Sequence, residues 1–427
     1  MLTLLLFISL LSLSLSLRMS SLSTPPLSTS TPSSTKKKIS IIGAGNWGTA
    51  VASKLGAKLQ SSKDARNEFS YVYDDTISLW VFDEQISGNI IFNKWCEVSS
   101  SSTNTTSLVD IINDTHENVK YLKGIKLTSN IRATSNLTSA CDADVLVFVV
   151  PHEFLHQTLA KMKGHCKDTA VIISLTKGLH VTDAGPELIT DIIARELGLK
   201  SIAVLMGANC AAEVAANYHC EATVASSDPK IANMVKYLFE DDRFRCRTST
   251  DTATVELCGA LKNIVAIGAG FCDALGYGCS SKAAIVRQGL YEIGSFCKLF
   301  YSTYDESVLL ESCGVADLVA TAFGGRNRRV SEEFARRIRG DNDKEITKDN
   351  LRSIWWQVEK DLLNGQKMQG LGTLVEVISC LDAYQLKNDC DLKHGSPDRF
   401  NEKFPLFYRI YEISLQGAKL ESLFDHW

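Results

Sequence analysis

The sequence KISIIGAGNWGTA, residues 38–50, combines an apolar strand pattern, three spaced glycines and the start of a helical pattern. Residues 38–42 form a short apolar strand, the glycines follow the spacing Gly-x-Gly-x-x-Gly, and residues 47–58 have a helical pattern. In such a unit the first glycine allows a tight turn, the second lets the backbone approach a pyrophosphate, and the third lets helix and strand pack closely. The phosphate charge then faces the N-terminus of the helix. The stretch predicts a dinucleotide site with contacts from Gly43, Gly45, Asn46, Trp47 and Gly48, and a plain structural turn is the alternative.

An acidic pair follows the second predicted strand, residues 79–82. Asp83 and Glu84 have the chemistry expected beside an adenosine ribose, and their charge disfavours a 2′-phosphate, so NAD is predicted rather than NADP. The pair lies further from the glycine turn than the usual ~20 residues. We interpret the polar residues 60–75 as a surface insertion that accounts for the excess, and a solvated strand end remains the alternative for the pair.

Apolar runs alternate with helical patterns along the first part of the chain. Residues 144–150, 170–175 and 202–205 have the composition of strands buried on both faces, and residues 153–163 and 186–197 have that of helices between them. After about residue 250 long helical patterns replace strands, first at 251–271 and 282–300. We predict a Rossmann-type α/β N-terminal domain that binds NAD (36–248) and a mainly α-helical C-terminal domain that binds substrate and carries catalysis (249–427).

Residues 1–35 differ in composition from the rest. Residues 2–17 form an apolar Leu/Ser/Phe run that is short for a membrane span and lacks a basic leader, and residues 20–35 are rich in Ser, Thr and Pro, which predicts disorder. Three interpretations stay open: a targeting peptide, the front of a two-step organelle signal, or an extension upstream of a start at Met19. We expect a cytosolic protein without a stable membrane span when mature, with a plastid or another organelle as the alternative.

Overall composition removes several classes of function. The 427 residues carry a formal net charge of −4 with no strongly basic half, so nothing favours a nucleic-acid partner. The 13 cysteines form no cluster with zinc-ligand spacing, and their odd number in a large chain favours a reducing compartment. We expect no metal site.

Two lysines stand out by their positions. Lys177 follows the run at 170–175, at the carboxyl edge of the predicted sheet, where ligands bind in this fold. Lys262 is the only ionisable side chain, cysteines apart, between Glu256 and Asp273. A buried ammonium is costly, and burial lowers its pKa towards the range useful for proton transfer. The alternatives are a solvated strand end for Lys177 and a snorkelling side chain for Lys262.

Asp317 and Arg326 complete the candidate set in the second half. Asp317 is the only charged residue between Glu311 and Arg326, so it could orient a lysine ammonium and offset its desolvation. Arg326 follows two glycines, and an arginine fork there suits bidentate phosphate recognition, although a plain loop arginine is the alternative. We interpret Arg328 and Arg329 as surface charge.

Eight segments in chain order together resemble the eukaryotic form of the NAD-dependent glycerol-3-phosphate dehydrogenase family, over about residues 38–424. The segments are GAGNWGTA at 43–50, HENVKYL at 116–122, FVVPHEF at 148–154, LMGAN at 205–209, VELCGALKN at 255–263, ESCGVADL at 311–318, GGRN at 324–327 and NGQKMQG at 364–370. The leader and the insertions 99–107 and 340–350 depart from the family pattern, outside these segments.

The resemblance implies a reaction and a role for each matching residue. The reaction is reversible hydride transfer between NADH and dihydroxyacetone phosphate to give sn-glycerol 3-phosphate, with Lys262 as acid and base. Lys177, Arg326 and Asn327 would contact the substrate and its phosphate, with Asn209, Asn263, Asp317 and Thr321 beside the reacting centre. The implied cofactor contacts or lid residues are Phe82, Phe154, Ala211, Lys367 and Gln369, together with Lys177 and Arg326. Large apolar helices favour a homodimer.

Two other functions stay open at this stage. A two-domain dehydrogenase for a hydroxy acid or sugar acid would need no clamp for a substrate phosphate. A non-catalytic NAD sensor or scaffold would have no need for the set Lys177, Lys262 and Asp317, whose presence argues against it.

Overall fold

The described part of the protein covers most of the chain beyond residue 35. The structure is a computed structural model that describes residues 36–64, 72–87, 105–182, 185–340, 348–363, 367–389 and 400–425. The expectations for the leader, and those for most of the insertions at 99–107 and 340–350, lie outside the described residues.

A mainly parallel sheet organises the N-terminal part. The described strands are β1 (Lys37–Ile42), β2 (Tyr73–Trp80), β3 (Gln85–Ser87), β4 (Thr105–Ser107), β5 (Ile131–Thr134), β6 (Val145–Phe148), β7 (Val171–Ser174), β8 (His180–Thr182), β9 (Gly185–Glu187), β10 (Ile202–Met206), β11 (Cys220–Ala225) and β12 (Phe244–Ser249). Eight of them form one sheet in the order β12-β11-β10-β7-β6-β1-β2-β5. All neighbours in it are parallel except β10 and β11, and β3/β4 and β8/β9 are separate hairpins.

Helices pack against this sheet and make up most of the remaining described residues. They are α1 (Asn46–Asp64), α2 (Leu108–Thr115), α3 (Leu137–Cys141), α4 (Leu155–Met162), α5 (Ile189–Leu197), α6 (Ala211–Ala215), α7 (Pro229–Phe239), α8 (Thr252–Ala274), α9 (Cys279–Phe300), α10 (Asp317–Gly324), α11 (Arg326–Gly340), α12 (Lys348–Leu363), α13 (Gly370–Asp389), α14 (Phe400–Lys403) and α15 (Pro405–Tyr411). Together with the sheet, they confirm the predicted fold class, a Rossmann-type domain followed by a mainly helical one.

The prediction of a surface insertion at residues 60–75 is wrong at both ends. Helix α1 continues to Asp64, and β2 already begins at Tyr73. Along β2 the buried Tyr73, Ile77 and Leu79 alternate with polar residues, so this strand is half-buried and has no continuous apolar run to mark its start. A similar alternation conceals β12, the strand at one edge of the sheet.

The helix predicted at 186–197 begins later than expected. Pro186 belongs to the hairpin strand β9, and α5 begins at Ile189. The buried carboxylate of Glu256 accepts a hydrogen bond from the Thr190 hydroxyl at 2.7 Å. It also accepts hydrogen bonds from the backbone N–H groups of Ile189 and Thr190. A side chain from α8 therefore caps the N-terminus of α5, which ties the helical part to the sheet.

Helix α8 is the centre of the helical part. It is buried from Ala253 to Cys272 and packs against α9, α10, α11 and α13. Among the described helices it is the one long and apolar enough to cross a membrane, and it is enclosed by protein over its whole apolar window. Residues Lys37–Trp427 form one compact unit, so the boundary placed at residue 248 stays a prediction.

The glycine turn joins β1 to α1 at the carboxyl edge of the sheet. Gly43 has φ +116°, a conformation that favours glycine. A Cβ on Gly48 would overlap the Gly43 carbonyl group, whereas a Cβ on Gly45 would meet no atom within 4 Å. The first and third glycines are therefore required by the fold itself, and Gly45 leaves open space above the turn.

We predict that Gly48→Ala lowers the free energy of unfolding by about 1–3 kcal/mol, because the new methyl group meets backbone that cannot yield. Gly45→Ala is the matched control and should leave the midpoint of thermal unfolding unchanged. Equal midpoints for the two variants would contradict this account of the turn.

Candidate active site

Lys262 and Asp317 form a buried ion pair between α8 and α10. Their side chains are each 6% exposed, and the Lys262 ammonium contacts Asp317 Oδ1. The ammonium also donates a hydrogen bond to Thr321 Oγ1 at 2.8 Å, and this hydroxyl donates to the Asp317 carbonyl oxygen at 2.6 Å. Thr321 lies one helical turn after Asp317, so both residues face Lys262 from the same side of α10.

Lys177 brings a second ammonium to the same carboxylate. Its Nζ lies 3.6 Å from Asp317 Oδ2, and its side chain is 27% exposed. Among the described residues, Oδ2 itself accepts no hydrogen bond, although it is buried. The strand-end lysine, the core lysine and the aspartate, which lie far apart in sequence, thus converge at the carboxyl edge of the sheet.

The surroundings bring the pKa of Lys262 into the neutral range. Burial lowers this pKa to about 7, and the positive charge of Lys177 acts in the same direction, while the Asp317 carboxylate opposes the shift. The ammonium can therefore give up and regain a proton near physiological pH, which is the requirement for an acid–base group.

A π-helical turn places Asp317 against the sheet. Residues Ser312–Ala316 form this turn directly before α10. The backbone N–H of Ala208, just beyond β10, donates to Ser312 Oγ at 3.1 Å, and the backbone N–H of Cys313 donates to Thr223 Oγ1 at 3.2 Å. The turn is thus anchored to β10 and β11, and it fixes where α10 begins.

The next residue after Lys262 links three helices. Asn327 Nδ2 donates to Asn263 Oδ1 at 2.8 Å, and the Gly370 N–H donates to Asn327 Oδ1 at 3.0 Å. Asn263 and Asn327 are buried. The network joins α8, the first turn of α11 and the start of α13, directly beside the Lys262 cluster.

Arg326 is the first residue of α11, and it is exposed next to buried Asn327. Asn209 follows β10, and its Nδ2 donates to the Glu221 carbonyl oxygen at 3.3 Å rather than to the lysine cluster. The interpretation of Arg328 as surface charge is wrong, because its guanidinium pairs with Asp273 and Glu332.

The predicted cofactor contacts lie around the glycine turn or at helix starts. Phe82 and Phe154 follow β2 and β6, the two neighbours of β1, and their side chains are large, apolar and 70% and 55% exposed. Ala211 begins α6, while exposed Lys367 and half-buried Gln369 directly precede α13.

The acidic pair after β2 is engaged with protein groups. Asp83 Oδ1 accepts a hydrogen bond from the Ser107 hydroxyl at 2.6 Å. Glu84 accepts one from the Tyr121 hydroxyl at 2.5 Å and pairs with Lys120. These contacts hold both carboxylates beside the sheet edge.

Asn118 is a site residue that the sequence reasoning gave no role. Its side chain is fully buried, and Nδ2 donates to the Ala44 carbonyl oxygen and to Thr49 Oγ1, both at 2.9 Å. It therefore fixes the glycine turn through hydrogen bonds from a segment elsewhere in the sequence. Its place within the segment HENVKYL was the available signal, but sequence alone does not reveal its partner.

Comparisons with known proteins identify the family of this chain. Family models described as the N-terminus and the C-terminus of NAD-dependent glycerol-3-phosphate dehydrogenase match residues 38–232 and 251–425. The cytoplasmic glycerol-3-phosphate dehydrogenase [NAD(+)] of Homo sapiens is 41% identical over 383 residues, 89% of this chain and 94% of the relative. The glycerol-3-phosphate dehydrogenase 1-like protein of Mus musculus is 42% identical, over 90% of this chain and 95% of the relative.

Solved structures give the same result for the fold. The glycerol-3-phosphate dehydrogenase of Plasmodium falciparum has a TM-score of 0.74 at 33% identity, over 92% of this chain and 95% of that one. The enzyme of Saccharomyces cerevisiae has a TM-score of 0.73 at 34% identity, over 92% of this chain and 99% of that one. These matches confirm the resemblance found in the eight segments, and the chain belongs to the NAD-dependent glycerol-3-phosphate dehydrogenase family.

Proposed function

We propose that the protein interconverts dihydroxyacetone phosphate and sn-glycerol 3-phosphate with NADH and NAD as the redox pair. The observation that carries this proposal is the buried Lys262 ammonium, held by Asp317 and Thr321 at the carboxyl edge of the sheet. A lysine with a pKa near 7 at that edge fits an acid–base group better than a structural one.

The residues of the glycine turn fit NAD. The open space above Gly45 leaves room for a pyrophosphate, and the start of α1 lies beside it, where the first N–H groups of a helix have no partner within the helix. Exposed Phe82 and Phe154 offer apolar rings, and Asp83 and Glu84 disfavour a 2′-phosphate. When bound, the nicotinamide supplies the hydride that adds to the carbonyl carbon of the substrate.

Lys262 moves the proton that accompanies the hydride. In reduction, its ammonium donates a proton to the carbonyl oxygen as negative charge develops there; in oxidation, the neutral amine accepts it back. Lys177 and Asn209 would stabilise and position the same oxygen. Asp317 orients both ammonium groups. Thr321 accepts a hydrogen bond from the Lys262 ammonium, and Asn263 fixes the neighbouring Asn327 side chain.

Arg326 and Asn327 would bind the phosphate of the substrate. The two residues begin α11, where a helix N-terminus and an arginine fork both favour an anion. Binding energy from this remote group would align the reacting carbon with Lys262. Ala211, Lys367 and Gln369 are proposed as further cofactor contacts.

A cytosolic homodimer is the proposed physical state. The word cytoplasmic in the name of the human relative supports the compartment. Exposed apolar side chains in the helical part, such as Leu310, Val319 and Phe323, support association with a second copy. The interpretations of the leader stay predictions.

The direct test is a spectrophotometric assay of NADH oxidation by the purified protein. Dihydroxyacetone phosphate should be reduced efficiently and unphosphorylated dihydroxyacetone poorly. Similar rates with both compounds, or activity only on hydroxy-acid precursors, would overturn the proposed substrate.

We predict that Lys262→Ala lowers kcat by at least about 100-fold, since proton transfer by a positioned group contributes at least that much. NADH should still bind, because the turn around Gly45 is untouched. Lys298→Ala, on the exposed face of α9, is the matched control and should keep normal turnover. Near-normal turnover by Lys262→Ala would refute the assignment.

The two directions of the reaction should depend on pH in opposite ways. Reduction needs the Lys262 ammonium, so its kcat/KM should be full below pH 7 and fall as pH rises through about 7, the pKa of this group. Oxidation needs the neutral amine, so its kcat/KM should rise through the same range. In Asp317→Asn the pKa should move lower, because the carboxylate that supports the ammonium is gone; an unchanged midpoint would contradict the coupling.

We predict that Arg326→Ala lowers kcat/KM for dihydroxyacetone phosphate by roughly 10- to 100-fold, as expected for the loss of a charge-assisted hydrogen bond worth about 1.5–3 kcal/mol. The value for dihydroxyacetone should fall much less, because that compound has no phosphate and can lose only the cofactor contact that the resemblance implies for Arg326. Arg329→Ala, an exposed arginine of the same helix, serves as the control. Unchanged kcat/KM for the phosphorylated substrate would show that Arg326 does not bind the phosphate.

A further inference from the structure

Arg328 lies two residues beyond Arg326 and forms ion pairs with two acidic side chains. Its Nε donates to Asp273 Oδ2 at 2.6 Å, and its Nη2 donates to Glu332 Oε2 at 2.6 Å. Asp273 lies in the last turn of α8, and its side chain is 14% exposed. The first turn of α11 is therefore tied to the end of α8 by a partly buried ion pair.

Asp273 also binds Lys282, which contacts Phe323 on the N-terminal side of the Gly-Gly-Arg-Asn segment. Lys282, in the first turn of α9, donates from Nζ to Asp273 Oδ2 at 2.8 Å, and its side chain is 11% exposed. The same Nζ lies 4.8 Å from the ring centre of Phe323, near the end of α10. One carboxylate thus connects to Phe323, which precedes the Gly-Gly-Arg-Asn segment, and to Arg328, which follows it.

Close backbone packing reinforces the second of these connections. A Cβ on Gly270 would overlap Ser331 Oγ and the Arg328 carbonyl oxygen, so α8 packs directly against the backbone and the small Ser331 side chain of α11 there. Ser331 Oγ donates to the Asn327 carbonyl oxygen at 2.6 Å. The position of the first turn of α11 is consequently fixed from the side of α8.

The glycine pair is the part of this segment with the fewest contacts. Gly324 and Gly325 carry no side chains, and a Cβ on Gly324 would meet no atom within 4 Å, although the Gly325 N–H donates to the Thr321 carbonyl oxygen at 2.9 Å. A glycine pair retains conformational freedom unless its flanks are held. The contacts that hold Phe323 and Arg328 therefore contribute to the direction of the Arg326 side chain.

We propose that Asp273, acting through Lys282 and Arg328, is a positioning residue that aims Arg326 and Asn327 at the substrate phosphate. The proposal rests on the phosphate role of Arg326 given above. Asp273 does not touch the substrate; it sets the geometry of the residues that do. Its removal should impair reactions that depend on the phosphate and leave other properties of the site unchanged.

Asp273→Asn tests this, because it keeps the size of the side chain and removes its charge. We expect kcat/KM for dihydroxyacetone phosphate to fall about tenfold, in line with the sensitivity of rates to small errors in substrate position. NADH affinity and kcat/KM for unphosphorylated dihydroxyacetone should remain unchanged. Glu333→Gln, which breaks the Arg337 ion pair further along α11, is the matched control and should alter neither substrate's kinetics.

The double variant Asp273→Asn/Arg326→Ala separates positioning from general damage. If Asp273 acts through the segment, the double variant should be no worse than Arg326→Ala alone, because the group being aimed is already absent. Effects that multiply, or an equal loss for both substrates in Asp273→Asn, would overturn the proposal. Arg328→Gln should reproduce the substrate-selective loss and Arg328→Lys should restore part of it, which keeps the test decisive should Asp273→Asn fold poorly.

The result for Arg326→Ala distinguishes failure of the phosphate role of Arg326 from failure of the positioning role of Asp273. If Arg326→Ala leaves kcat/KM for the phosphorylated substrate unchanged, the phosphate role is wrong and the positioning role falls with it. If Arg326→Ala is impaired but Asp273→Asn and Arg328→Gln behave like Glu333→Gln, only the positioning role is overturned.

Discussion

The buried ion pair between Lys262 and Asp317 is the interaction on which the rest of the site depends. An ammonium in the interior is strongly disfavoured unless an opposite charge is held next to it, and breaking such a pair costs several kcal/mol. Helix α8 can carry a charged Lys262 in the interior because α10 begins at Asp317, which places a carboxylate next to it. The placement of α10 therefore decides whether the lysine is a stable charge, a proton donor or neither.

That placement depends on contacts between the helical part and the sheet. The turn at Ser312–Ala316 is anchored to β10 and β11, and Asp317 in turn attracts Lys177 from the end of β7. The glycine turn lies at the same edge of the sheet, held from outside by Asn118. The glycine turn and the Lys262 cluster thus share one scaffold, the carboxyl edge of the sheet, and the segment proposed to bind the substrate phosphate begins at Gly324, at the end of α10.

The sequence predicts a site residue where its chemistry differs from that of its neighbours along the chain. A lysine in an apolar helix, an aspartate alone in an apolar run and a glycine turn after a strand are all visible locally, and these predict the fold class and the candidate site. It was insufficient where the partner is distant. Arg328 has the sequence pattern of a surface charge, because its partner Asp273 lies 55 residues earlier. The start of β2 was missed because a half-buried strand alternates polar and apolar residues and resembles an exposed segment.

A double-mutant cycle on stability measures directly whether Lys262 and Asp317 stabilise each other. The free energy of unfolding is measured for the unmodified protein, Lys262→Met, Asp317→Asn and the double variant. If the two charges stabilise each other in the interior, the losses in unfolding free energy of the two single variants should add up to more than the loss of the double variant. The difference, the coupling energy, should be about 1 kcal/mol or more. Additive losses, with no coupling energy, would mean that Lys262 is not held by Asp317 and would contradict the account of the site.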